Sequence, residues 1–274
     1  MSRIKKWHFL SVLGLLFVLL LALISIAPFV YMLLASFTDS RTPVFLPNEL
    51  HLGDFSNYTY VFRNNDFLHS LINSVIVVGL SCAFNCLLAS MAAYGFEKKN
   101  FPFKEGLYLI YLATMMIPGQ VTMIPVFVMM KKANLLNTYF SLTVLILNAF
   151  GVILIRQFMK GIPDDLLEAA KVDGCPEIRL FFQIVVPLIR SVLVSLVIFT
   201  FVTSWNDFLW PLVSTSTSRM YTLTVALSLL KTQYTTNYGL LMAGATVSFV
   251  FPFAVYVFLQ KQFVEGIALS GIKG

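Results

Sequence analysis

The stretch Glu168-Ala169-Ala170-Lys171-Val172-Asp173-Gly174 is a charged segment between two long apolar runs of the chain. Pro163 and the two acidic residues after it predict a helix start, because proline suits the first helical position and carboxylates suit the positive end of the helix dipole. Gly174 predicts the end of this helix, since glycine readily adopts the left-handed C-terminal turn. Pro176 then predicts a second short helix over residues 177–179.

Small apolar side chains form one narrow face of the first predicted helix. Leu166, Ala169 and Ala170 recur at helical spacing, and small side chains let another surface approach the helix backbone closely. A membrane protein that keeps such a polar helix between two spans usually uses it to bind a soluble protein. An ordinary helix–turn–helix connection explains the same residues equally well, so the residues alone leave both interpretations open.

The composition places the chain in a lipid bilayer. Of its 274 residues, 58% are hydrophobic and only 12% are charged, and the mean hydropathy is +0.82. A soluble domain carries about a quarter charged residues, and a soluble helical protein of this length would lack the polar surface to cover its core. In a membrane protein the net charge of +6 concerns orientation, so we expect no nucleic-acid partner.

Six apolar segments approach the length of a membrane-spanning helix, which needs about 20 residues. They cover residues 9–37, 69–94, 106–130, 139–158, 188–212 and 238–260, and Asp207 lies inside the fifth. Thirteen Lys and Arg residues lie on the side that holds both termini and the charged loop, against six on the other side. Because basic residues accumulate on the cytoplasmic side, the sequence predicts an all-α membrane protein with six transmembrane helices and both termini in the cytoplasm.

Prolines predict where the spans bend. Pro28, Pro118, Pro125 and Pro252 all lie inside predicted spans, and each removes a backbone hydrogen bond that neighbouring groups must replace. The run Ile117-Pro118-Gly119-Gln120 combines proline, glycine and a polar side chain, so we expect a real interruption of the helix there. Broken helices of this kind often border a transport pathway.

Polar side chains inside spans usually face neighbouring helices or a water-filled cavity, because they are costly in hydrocarbon. Ser81, Asn85 and Ala89 fall on one helical stripe beside two cysteines, which predicts packing between helices. The residues that we assign to a possible translocation pathway are Gln120, Asn148, Asn206 and Asp207.

The chain carries no sequence pattern for catalysis, nucleotide hydrolysis or metal binding. It lacks the G-x-x-x-x-G-K-[ST] phosphate loop, its three histidines are scattered, and its three cysteines form no CxxC pair. Cys82 and Cys86 lie one helical turn apart in an apolar run, where small packing residues are expected. We therefore predict no catalytic site, no metal site and no cofactor bound by this chain.

Four stretches of the chain match one known pattern of residues. They are Ile117-Pro118 through Pro125 to Asn137-Thr138, the loop with Ile162-Pro163, Glu168-Ala169-Ala170, Asp173-Gly174 and Pro187, the segment Trp205-Asn206-Asp207-Phe208-Leu209-Trp210-Pro211, and the tail from Gln262 to Gly274. They resemble the permease subunits of bacterial ABC importers of the carbohydrate-uptake, or maltose-type, group, over most of the chain from about residue 57. Val186 and Glu265 depart from that pattern, which more often has leucine and a basic residue there.

The resemblance implies the type I ABC importer permease fold in the bacterial cell membrane. Residues 1–68 would form the first transmembrane helix and an extracytoplasmic loop, residues 69–260 a five-helix core with a coupling loop at 160–187, and residues 261–274 a cytoplasmic tail. The implied partners are a second homologous permease, a cytoplasmic ATPase dimer that uses ATP and Mg, and an extracytoplasmic solute-binding protein. The residues implied to couple to the ATPase are Glu168, Ala169, Ala170, Asp173, Gly174 and Pro187.

An autonomous secondary transporter or channel for a small polar solute is the main alternative. A coupled carrier is expected to show deeper charged residues or paired broken helices in two related halves, whereas this chain offers Asp207 and one Pro-Gly break. A membrane-embedded enzyme would need a nucleophile–base or metal constellation. The substrate stays open between sugars, oligosaccharides and phosphorylated polyols, as does pairing with an identical or a different permease.

Overall fold

The structure, a computed structural model, describes the backbone of residues 2–38, 54–63, 65–147, 149–233 and 237–271. Every regular element within those ranges is a helix, which confirms the all-helical part of the prediction. In chain order the α-helices are α1 (Ser2–Ala35), α2 (Ser56–Arg63), α3 (Asn65–Lys98), α4 (Lys104–Ala113), α5 (Gly119–Lys132), α6 (Tyr139–Val144), α7 (Ala149–Met159), α8 (Asp164–Val172), α9 (Glu177–Leu180), α10 (Val186–Leu188), α11 (Arg190–Trp205), α12 (Leu209–Ser214), α13 (Leu223–Gln233) and α14 (Tyr238–Gly271). A π-helical turn, Phe181–Val185, joins α9 to α10.

Three helical segments are long and apolar enough to cross a membrane alone, namely Val12–Ala35, Asp66–Lys98 and Tyr238–Phe258. Two bent pairs raise the candidates to five, namely Lys104–Met116 with Gly119–Lys132 at 101° and Glu177–Leu188 with Arg190–Trp205 at 79°. The fourth predicted span consists of two short helices, α6 and α7. The described helices thus supply three to five candidate spans, and the count of six stays a prediction.

The predicted break at Pro118 is confirmed. A 3-10 turn, Thr114–Met116, follows α4, and α5 begins only at Gly119, with a bend of 101° between the two helical parts. Pro118 adopts an extended ψ of 131° at the cap of α5, and its ring and missing N–H prevent a continuous helix. Pro28, Pro125 and Pro252 lie inside α1, α5 and α14, as the sequence predicts.

The predicted fifth span, residues 188–212, is wrong at its end. Helix α11 stops at Trp205, and α12 begins at Leu209 after a short break. Asn206 and Asp207 occupy that break, and their side chains compete with helical backbone hydrogen bonds. Asp207 therefore lies in the break between two helices, directly before the Phe208 cap of α12, instead of inside a longer helix.

The chain forms two compact units, the first made of residues 1–67 and 227–250 and the second of residues 68–226 and 251–274. In the first unit a hydrogen-bonded turn closes the end of α1. The Asn57 amide donates to the backbone carbonyls of Ser36 (3.0 Å) and Thr38 (3.1 Å), and the Ser36 and Tyr58 hydroxyls share a hydrogen bond of 2.6 Å. Gly239 of α14 lies directly against the Thr38 carbonyl.

In the second unit α3 packs on α11 through the polar stripe that the sequence predicts. Asn85 donates to the Thr200 hydroxyl at 2.9 Å, and the Ser204 hydroxyl donates to that of Ser81 at 3.4 Å. Ala89, on the same stripe, lies in the buried core. The prediction that this stripe holds helices together is confirmed.

Candidate functional site

The loop between α7 and α11 has the local structure that its sequence predicts. Helix α8 starts at Asp164, with Pro163 at the cap and not at the first helical position. Gly174 ends the helix with a φ of +76°, and the Cys175 amide then donates back to the Ala170 carbonyl at 3.0 Å. Helix α9 begins directly after Pro176. We call residues 162–188 the docking loop.

The docking loop is attached to the core by one set of side chains and exposes another. Leu167 and Leu180 are buried in the core of the second unit. Val172 is 86% exposed and Ile178 75% exposed, and an open concavity of about 560 Å³ lies beside α9. Its lining residues are Pro176, Glu177, Ile178, Arg179, Phe182 and Gln183. A concavity lined by exposed apolar side chains on ordered helices is one feature of surfaces that bind other proteins.

Most of the coupling residues predicted from the sequence are exposed. Those that are exposed are Glu168, Ala169, Asp173, Gly174 and Pro187, whereas Ala170 is half-buried. Five of the six lie on α8 and its C-terminal turn, whereas Pro187 lies on α10. Their coupling role stays a prediction.

Lys98, the last residue of α3, fastens the start of α8. Its ammonium donates to the Ile162 carbonyl at 2.6 Å and to the Asp164 carboxylate at 2.7 Å. The Lys98 side chain is only 6% exposed, whereas that of Asp164 is 74% exposed. The hydrogen bond and charge of Lys98 lower the pKa of the Asp164 carboxyl. The stability that this ion pair contributes is therefore present at neutral pH and is lost as the pH falls through the lowered pKa.

The start of α9 is fastened to the same helix end. The Glu177 carboxylate accepts a hydrogen bond from the Tyr94 hydroxyl and forms an ion pair with Lys99. The Tyr94 ring also packs on Phe181, with centroids 5.4 Å apart. Both short helices of the docking loop are therefore held by the C-terminal end of α3 and by Lys99, the residue that follows it.

Arg156 of α7 forms a third connection to this region. Its guanidinium donates to Glu97 at 2.9 Å and to Glu105 at 3.2 Å, and it lies 3.8 Å from the centroid of the Tyr108 ring. In the sequence, Arg156, Lys98 and Lys99 are three of the thirteen basic residues that orient the chain. The signal that could have revealed these contacts is the density of charges of both signs at the ends of neighbouring apolar segments.

Arg156→Lys is expected to destabilise the core of the second unit by about 1–2 kcal/mol. Lysine keeps the positive charge but lacks the planar guanidinium that donates to two carboxylates and stacks on Tyr108. A desolvated cation–π contact of this kind contributes about 1–2 kcal/mol. The measurement is the thermal unfolding midpoint in detergent. Glu105→Gln serves as the control, because the Glu105 side chain is 67% exposed and such a pair contributes little. Equal midpoints for Arg156→Lys and the unaltered chain would contradict this role.

The structure does not assemble the predicted pathway residues into one site. Gln120 is exposed at the start of α5, and exposed Asn206 donates to the Val202 carbonyl at 2.8 Å. Asp207 is half-buried, and its backbone carbonyl accepts a hydrogen bond from the Thr224 hydroxyl at 2.7 Å. Asn148 lies outside the described residues. Their role in a pathway stays a prediction.

The cysteines of α3 are packing residues, as predicted. The Cys82 thiol lies 3.6 Å from the Val197 carbonyl, and the Cys86 thiol lies 3.9 Å from that of Leu193. In the part of the chain that the structure describes, no three His, Cys, Asp or Glu side chains lie close enough to hold a metal ion.

A family described as binding-protein-dependent transport system inner membrane components matches residues 85–268. The chain belongs to this family. The match begins in the middle of α3 and includes the docking loop, the break after α11 and most of α14. The resemblance inferred from the sequence motifs is thereby confirmed, and the chain is a membrane-embedded transport permease.

Known relatives of the permease match along almost their whole length. It is 34% identical to the arabinooligosaccharides transport system permease protein AraQ of Halalkalibacterium halodurans, over 100% of this chain and 98% of AraQ. It is also 34% identical to the lactose transport system permease protein LacG of Rhizobium radiobacter, over 93% of each chain. Its backbone matches a crystal structure of a bacterial ABC transporter involved in the import of the acidic polysaccharide alginate, with a TM-score of 0.77 and 22% identity over 93% of this chain and 96% of that one. The permease therefore has the fold of an ABC importer subunit.

Proposed function

We propose that the permease is one of two transmembrane subunits of an ATP-driven ABC importer that takes up a sugar or an oligosaccharide. In this assembly it forms the translocation pathway with a second, homologous permease. A cytoplasmic ATPase dimer hydrolyses ATP with Mg, and an extracytoplasmic binding protein delivers the solute. The chain itself has no phosphate loop, so hydrolysis belongs to the partner.

The observation that carries this proposal is the docking loop. It is an ordered pair of short helices whose inner side chains, such as Leu167, are buried, whereas Val172, Ile178 and Phe182 are exposed. Burying those apolar side chains requires a soluble partner, and the ATPase dimer is the partner that an importer permease needs. Five of the six predicted coupling residues lie on α8 and its C-terminal turn, the element that carries Val172.

The membrane arrangement that we propose has six spans and cytoplasmic termini. We assign the six crossings to the three single helices, the bent pair Lys104–Met116 with Gly119–Lys132, the pair α6–α7 and helix α11. The excess of Lys and Arg on the side of the docking loop supports its cytoplasmic position in the bacterial cell membrane. An ATPase-binding loop must lie on that side.

The proposed substrate class is supported by the relatives. AraQ and LacG are named for arabinooligosaccharides and lactose, and the structural relative transports alginate. A saccharide therefore fits this permease better than an ion or an amino acid does. The particular sugar depends on the binding protein and on the second permease.

The test is purification of the permease from its native membrane in mild detergent, with identification of every protein that co-purifies. We expect a second permease and an ATPase with a phosphate loop, and ATP hydrolysis that rises when a saccharide-loaded binding protein is added. Cysteine substitutions at Val172 and Ile178 allow crosslinking of the docking loop to the ATPase. A monodisperse permease that yields no crosslinked ATPase would favour an autonomous carrier and overturn the proposal.

A further inference from the structure

Three consecutive side chains at the C-terminal end of α3 bind three different elements. Glu97 accepts a hydrogen bond from α7, Lys98 donates to the start of α8, and Lys99 pairs with the start of α9. Successive residues of a helix point in directions about 100° apart, so Glu97 and Lys98 reach different neighbours, and Lys99, the first residue after the helix, reaches a third. We call Tyr94, Glu97, Lys98 and Lys99 the helix-end hub.

The same helix is joined to α11 along its length. The hydrogen bonds from Asn85 to Thr200 and from Ser204 to Ser81 connect the two helices in the part of α3 that precedes the helix-end hub. The buried core around Leu180 and Leu196 fills the space between the docking loop, α7 and α11. A displacement of the docking loop can therefore reach α11 through α3.

The covalent route from the docking loop to α11 is less direct. From α9 the chain passes through the π-helical turn Phe181–Val185, and the helix then bends by 79° at Ile189. Ile189 has a non-helical ψ of 11°, and irregular helical turns of this kind are places where a helix can absorb a rotation. A displacement of α9 can therefore be absorbed at this bend before it reaches α11.

We propose that the helix-end hub is a positioning site that passes the movement of the docking loop to α3, and through α3 to α11. Lys98 is its central residue, because its buried ammonium binds both a backbone carbonyl and a carboxylate of the loop. Tyr94 and Lys99 hold the second short helix. This inference rests on the proposed docking of an ATPase at the loop.

The three cysteines of the chain are native reporters for this route. Cys175 lies in the docking loop, whereas Cys82 and Cys86 lie on α3 against α11. The complex purified from the membrane is treated with N-ethylmaleimide, once without nucleotide and once trapped with MgATP and vanadate. Mass spectrometry of the modified peptides then gives a labelling rate at each end of the proposed route without a transported solute.

In the unaltered complex we expect ATPase binding to protect Cys175 and vanadate trapping to change the labelling rates of Cys82 and Cys86. Lys98→Met should keep the protection of Cys175 but reduce the nucleotide-dependent change on α3 about tenfold, the size of effect that loss of one charge-assisted hydrogen bond has on an equilibrium. Lys98→Arg should restore most of the change. Lys160→Met is the matched control, since Lys160 is an exposed lysine at the end of α7.

The possible outcomes distinguish a failure of this inference from a failure of the proposed function. Absence of Cys175 protection in the unaltered complex would overturn the docking proposal itself. Protection of Cys175 without any nucleotide response at Cys82 and Cys86, or a full response in Lys98→Met, would overturn the hub alone. Should Lys98→Met fail to fold, Tyr94→Phe keeps the ring but removes the hub hydroxyl that donates to Glu177, and a full response in that variant would equally overturn the hub.

Discussion

Gly174→Val is expected to weaken binding of the proposed ATPase partner to the permease by about 5- to 30-fold. Gly174 has a φ of +76°, a conformation that costs an L-residue about 1–2 kcal/mol and is worst for a β-branched side chain. A penalty of that size lowers the population of the turn by a factor of about 5–30. The measurement is a titration of permease with purified ATPase in detergent.

Gly174→Asn is the matched control for this experiment. No heavy atom lies within 4 Å of a Cβ built at Gly174, so both substitutions have space within the permease. Asparagine tolerates the left-handed conformation better than valine does, and we expect it to retain most of the binding. If both variants lost binding equally, the side chain and not the turn would be responsible. Unchanged binding in Gly174→Val would contradict a docking role for this turn.

Gly239→Ala is expected to destabilise the first unit by about 3 kcal/mol or more. Inserting an extra methyl group into a packed region typically costs about 1–3 kcal/mol, and the contact here is closer than usual. A Cβ at position 239 would lie 1.6 Å from the Thr38 carbonyl oxygen and 2.9 Å from the Asn57 amide nitrogen. The obstacle is backbone that the Asn57 side chain holds in place, so no side-chain rotation relieves the contact. The measurement is the amount of folded, monodisperse permease in the membrane and its unfolding midpoint.

Gly79→Ala is the control for this second experiment. Gly79 also lies inside a long helix, but nothing surrounds its Cβ position within 4 Å. Alanine is favoured over glycine in a helix interior by about 0.5–1 kcal/mol, so this variant should be as stable as the unaltered chain or slightly more so. Opposite effects of the same chemical change would show that the close approach at Gly239 causes the loss. A fully stable Gly239→Ala would contradict that contact.

Much of the local structure could be predicted because single residues determine it. The break at Pro118, the start of α8 after Pro163 and its end at Gly174 all follow from what proline and glycine do to the backbone nearby. The end of the fifth span could not be predicted from hydropathy, because Leu209 continues the apolar run across the break. The polar pair Asn206 and Asp207 indicates the break, but a hydropathy average over the whole segment hides it.

The candidate site could be predicted only in part. The predicted coupling residues, such as Glu168 and Gly174, lie together because they are neighbours in the chain. The residues that hold the loop were missed, since Lys98 and Lys99 were indistinguishable from the other basic residues that orient a membrane protein. The pathway residues Gln120 and Asn206 were chosen for polarity alone, and the structure shows no contact between them in the part of the chain that it describes.

The sequence by itself determined that this protein lies in a membrane, where its helices begin and end around the docking loop, and which family it resembles. Those properties depend on composition and on residues a few positions apart. Only the tertiary structure decided which charges meet, because the partners of Glu97, Lys98 and Tyr94 lie 59, 66 and 83 residues away along the chain. Pairing over such separations depends on how helices pack, and buried charges require a partner wherever the packing places them.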